Sequence, residues 1–88
     1  MISTKEKSII KKIASRYHAK RVLLFGSSLS KKSARDIDLA VEGLPAESFF
    51  KFYGDLLFSL PKPVDLIDLS RNSKFARLVR QEGLPIYG

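Results

Sequence analysis

Asp36-Ile37-Asp38-Leu39-Ala40-Val41 alternates acidic or small residues with aliphatic ones, and its reading decides the fold. In an extended chain successive side chains point to opposite faces, so Ile37, Leu39 and Val41 share one side of a sheet and Asp36, Asp38 and Ala40 the other. The two carboxylates then stand within about 7 Å of each other. Two like charges so placed cost stability unless hydrogen bonds or a cation compensate them. A hard divalent cation suits such oxygen donors, and Mg²⁺ usually takes one or two carboxylates together with substrate phosphates. Glu42-Gly43-Leu44 closes the strand.

Upstream, Val22-Leu23-Leu24-Phe25 is an apolar run of strand length that ends at the turn signal Gly26-Ser27-Ser28. A glycine there lets the backbone approach a phosphate closely, and the serines offer hydroxyl and amide donors. The connection to Asp36 carries Lys31, Lys32 and Arg35 and is too short for a helical crossover, so the two strands are expected to be antiparallel neighbours. Ser3 with Glu6 forms a capping box that opens a first helix, with Ile9, Ile10, Ile13, Ala14 and Tyr17 on one face and His18 near its end.

Downstream, Pro45 suits the first turn of a second helix running to about Ser59. Its apolar stripe is Phe49, Phe52, Tyr53, Leu56, Leu57 and Leu60, with Phe50 at the edge and Phe58 on the opposite side. Pro61 and Pro63 lead into a third strand, Val64-Asp65-Leu66-Ile67-Asp68-Leu69. Ser70 or Ser73 then caps a third helix, Gly83 stops it, and Leu84 to Tyr87 can add an edge strand. The expected fold is a single α+β domain over residues 1–88, a small mixed β-sheet with helices packed mainly on one face.

The composition narrows the function. The 88 residues contain no cysteine and one histidine, which excludes disulfide frameworks, thiolate zinc sites and multi-histidine metal sites. No apolar run approaches the roughly 20 residues that span a bilayer, so no membrane role and a cytoplasmic location are expected. The net charge is +7, yet residues 36–70 hold seven acids against two bases, while residues 1–35 hold ten bases against Glu6 alone. A basic chain thus gathers its acids where the strands carry Asp36, Asp38, Asp65 and Asp68. Asp65 and Asp68 lie an odd step apart and face opposite sides, so only one can join the first pair; the register that would decide is not readable here.

Leu24-Phe25-Gly26-Ser27, then Asp36-Ile37-Asp38-Leu39-Ala40-Val41, then Val64-Asp65-Leu66-Ile67-Asp68-Leu69 resembles the DNA polymerase beta-type nucleotidyltransferases. Within them the chain resembles the minimal nucleotidyltransferases of bacteria and archaea, and it is also similar to the core of the aminoglycoside nucleotidyltransferases. The resemblance implies a palm-like fold and gives roles to matched positions. Gly26, Ser27 and Ser28 would hold the triphosphate of ATP. Asp36, Asp38 and Asp65 would be the catalytic and Mg²⁺-binding carboxylates, with Asp65 helping to activate the attacking hydroxyl. It further implies transfer of AMP to a tyrosine hydroxyl of a helical HEPN-type partner, with this chain as the antitoxin of a toxin–antitoxin pair, in a homo- or hetero-oligomer. The sequence departs from the pattern in its short Gly26-to-Asp36 connection, which has no second glycine, and in Ser28, where many members carry arginine.

Two rival readings belong to other classes. An inactive module of the same fold would neutralise its partner by contact alone, a reading the short Gly26-to-Asp36 connection favours; Phe58 and Phe50 suggest an exposed apolar patch for a partner in either case. A nucleic-acid-binding protein would use the basic first 35 residues, but they carry no recognised binding motif.

Overall fold

The computed structural model describes residues 2–26, 36–70 and 73–88. Helix α1 spans Thr4–Arg16. Its capping box is reciprocal: the Ser3 amide donates to Glu6 Oε1 at 2.8 Å and the Glu6 amide to Ser3 Oγ at 3.1 Å. The helix stops at His18, whose φ of 59° is left-handed. The amides of His18 and Ala19 close back on the carbonyls of Ser15 and Ala14, the paired bonds of a Schellman stop.

Strand β1, Arg21–Leu24, pairs antiparallel with β2, Ile37–Glu42, as the short connection requires. Pro45 precedes a single 3-10 turn, Ala46–Ser48, before α2, Phe49–Ser59, so the helix begins later than Pro45 suggests. Strand β3, Val64–Asp68, lies parallel to β2, with α2 forming the crossover. Ser73, through its Oγ, caps α3, Lys74–Glu82, and β4, Leu84–Tyr87, returns antiparallel to β1. The sheet order is β3-β2-β1-β4. This is the α+β mixed sheet the sequence implies.

Two helices cover one face of the sheet. Ile10, Ile13 and Ala14 of α1 and Phe52 and Leu56 of α2 bury Val22, Leu24, Ile37, Leu39, Val41, Val64 and Leu66. The second helix departs from its sequence reading at Leu57, which is exposed while Phe52 and Leu56 are buried. Position 57 lies a further 100° round the helix from Leu56, beyond the stripe that reaches the sheet. On the other face Ala76 and Val79 of α3 pack on Leu23, Ala40 and Leu69, and Asp38 lies on that same face beyond this cluster.

A carboxylate face beside a glycine turn

The register answers what the sequence leaves open. Asp38 of β2 sits directly beside Asp65 of β3, whereas Asp68 pairs with Val41 and so falls on the helix-covered side. Asp68 instead ends the strand, its Oδ1 accepting the Ser70 amide at 2.9 Å in an Asx turn. Asp36 stands two residues before Asp38, just ahead of β2 and exposed. The fold therefore places Asp36, Asp38 and Asp65 on one sheet face, with Asp38 half-buried between β1 and β3.

Gly26 borders Asp38 from the other side. The Phe25 amide donates to the Asp38 carbonyl at 3.0 Å, extending the β1–β2 ladder by one bond. Gly26 follows with φ of +66°, and a Cβ there would stand 2.8 Å from Asp38 Oδ2. Any larger residue would be strained and would crowd the carboxylate. Ser27, Ser28, Lys31, Lys32 and Arg35 lie outside the described residues.

Carboxylate oxygens on one sheet face, with a glycine whose missing Cβ leaves room beside Asp38 Oδ2, suit a hard cation. Among the described residues no three His, Cys, Asp or Glu side chains are already gathered as a ligand cluster. A Mg²⁺ site does not require that, because substrate phosphates complete its coordination. A cavity of about 580 Å³ lies elsewhere among the described residues, between Ser3, Lys5 and Glu6 of the first turn and Phe58 to Lys62 at the end of α2. A smaller cavity of about 260 Å³ adjoins Gly26. No helix among the described residues is long and apolar enough to cross a membrane.

A small mixed sheet that presents strand carboxylates beside a glycine turn suits nucleotidyl transfer. The family model for polymerase beta nucleotidyltransferases matches residues 7–88, and the chain belongs to that family. No curated protein matches it. Solved structures agree on the fold. A chain of the toxin–antitoxin complex MntA–HepT superposes with a TM-score of 0.74 at 24% identity, over 98% of this chain and 73% of that one. One from the tri-AMPylated Shewanella oneidensis HEPN toxin in complex with MNT antitoxin gives 0.75 at 25% identity, over 99% and 73%. One from a toxin–antitoxin complex with AMP-PNP gives 0.72 at 25% identity, over 93% and 73%.

Proposed function

We propose that this chain is a Mg²⁺-dependent nucleotidyltransferase that moves AMP from ATP onto a tyrosine hydroxyl of a HEPN-type partner and so acts as an antitoxin. The observation that carries this reading is the parallel register of Asp38 with Asp65, next to a Gly26 turn that leaves Asp38 accessible. The likeness to complexes containing an AMPylated HEPN toxin and AMP-PNP supports the nucleotide and the partner.

Asp36, Asp38 and Asp65 would hold Mg²⁺, whose charge would offset that of the phosphates. Gly26 and the serines after it would receive the triphosphate. Asp65, exposed at β3, would accept the proton of the acceptor hydroxyl as its oxygen attacks the α-phosphorus. The bond to the β-phosphate oxygen breaks and pyrophosphate leaves. Such transfer depends mainly on positioning and charge stabilisation, which a rigid strand pair provides.

The test incubates the chain with ATP, Mg²⁺ and a purified HEPN-type partner and weighs the partner by mass spectrometry. The expected result is an added AMP that disappears without Mg²⁺ and with Asp38→Asn. No addition by the wild type, with inhibition of the partner intact, would replace this reading with the second one. In that reading the chain neutralises its partner by contact alone, and the exposure of Phe58 (93%) and Phe50 (81%) on α2 favours it.

A further inference from the structure

Resting on the nucleotidyl-transfer reading, we propose that the cavity between the end of β1 and α3, lined by Phe25, Gly26, Phe75, Leu78, Val79 and Glu82, receives the nucleobase of the bound triphosphate.

Sheet order supplies the first argument. In β3-β2-β1-β4 the Asp65 and Gly26 positions flank Asp38 from opposite sides. Strands are spaced about 4.8 Å apart, so β3 and β1 lie roughly 10 Å from each other. If Asp65 serves the attacking hydroxyl, the acceptor arrives over β3, and the nucleotide occupies the β1 side, where the cavity opens. Gly26 belongs both to the cavity wall and to the turn that touches Asp38, so the two are continuous.

The lining supplies the second. Phe25, Phe75, Leu78 and Val79 make the walls apolar, which suits neither phosphate nor ribose. The base is the neutral, planar part of a nucleoside triphosphate. Phe25 and Phe75 meet edge to face with centroids 6.0 Å apart, leaving ring surface for a third aromatic group. Phe75 and Leu78 are large apolar residues that the fold leaves about half exposed, although Ala76 and Val79 on the same helix are buried. Glu82, at the rim, places a carboxylate where it can accept from the exocyclic amine of a base such as adenine. Sites for drug-sized ligands run from about 300 Å³ upward, so this smaller space fits a single ring system and not a whole nucleotide.

The test compares ATP with tripolyphosphate, both with Mg²⁺, by calorimetry on the wild type and on Phe75→Ala. It then maps adenosine on the ¹⁵N-labelled chain by NMR. Phe75 is half exposed, so its truncation leaves the core intact, and circular dichroism checks this. The expected result is ATP binding weakened roughly 5- to 100-fold, as loss of a stacking partner implies, with tripolyphosphate unchanged. Adenosine should shift the amides of Phe25, Phe75, Leu78, Val79 and Glu82. Equal ATP affinity in both proteins, or adenosine shifts away from α3, would overturn the proposal while leaving the transfer reading standing. So would shifts at these amides caused by N-acetyl-tyrosinamide and not by adenosine, which would make the cavity an acceptor site. If adenosine maps to α3 but the wild type binds tripolyphosphate not at all, the transfer reading fails and the base pocket stands.

Discussion

Asp65 and Asp68 are the same residue type three positions apart on one strand, and their surroundings separate them. Asp65 is exposed on the carboxylate face beside Asp38, and Asp68 is half-buried with its side chain holding the Ser70 amide. Their alanine variants should therefore fail differently. Asp65→Ala should lower AMP transfer by about 100-fold or more, the usual scale for removing one preorganised charge-stabilising group, with little change in urea midpoint. Asp68→Ala should keep its turnover and lose about 1 kcal/mol of stability, the worth of one local hydrogen bond. Single-turnover kinetics and urea titration of the two proteins check this, and the opposite pattern would assign the third carboxylate to Asp68.

At the scale of elements, polar contacts fix how helices sit on the sheet. The Tyr17 hydroxyl at the end of α1 donates to Asp55 Oδ2 of α2 at 2.6 Å, with Arg16 Nη1 3.7 Å from the same oxygen. Tyr53 of α2 donates to the Val64 carbonyl at 2.6 Å, tying the crossover helix to the start of β3 and so to Asp65. Arg80 of α3 donates from Nε to Glu42 Oε2 at 3.2 Å and from Nη2 to the Leu69 carbonyl, which anchors α3 over the ends of β2 and β3. The Asp55 contact has a pH signature. The hydrogen bond to Asp55, then burial, then the Asp55 charge raise the Tyr17 phenol above its ordinary value of 10.0, while Arg16 opposes them. A phenol raised on folding holds its proton more tightly in the native state. Its contribution is complete below about pH 10 and is lost as pH rises through the raised value. The melting temperatures of wild type and Tyr17→Phe should therefore differ at neutral pH and converge as pH climbs above about 10. A gap that stays constant to the highest pH tested would show that the contact is not titrating.

For the whole molecule, the question is what its surface meets. One sheet face is closed by α1 and α2, and the other is shared between α3 and the carboxylates. Phe58, Phe50 and Leu57 all project outward from α2, on the far side of the sheet from Asp38. An apolar group of this kind marks a protein contact more readily than a solvated surface. Phe58→Ser should weaken association with a HEPN-type partner by at least about 10-fold, within the range seen when a central aromatic anchor is removed. Its urea midpoint should stay within the roughly 0.5 kcal/mol typical of surface changes. Calorimetric titration of the partner and equilibrium unfolding measure the two effects separately. Undiminished association would move the interface elsewhere.

Sequence alone determined the features that depend on local chemistry. The capping box at Ser3 and Glu6, the two-residue alternation of β2, the antiparallel β1–β2 pair and the carboxylate pair Asp36/Asp38 all follow from neighbours in the chain. Periodicity also marked Phe58 as pointing away from the core. It misjudged Leu57, because a helical stripe says which side is apolar and not how far the sheet reaches around it. Pairing between distant strands carries no local signal, so the choice between Asp65 and Asp68 waited on the β2–β3 register. The cavity at Phe25 and Phe75 waited on α3 crossing to the second face of the sheet. Both depend on where segments 25 or more residues apart come to rest, and only the packed tertiary structure decides that.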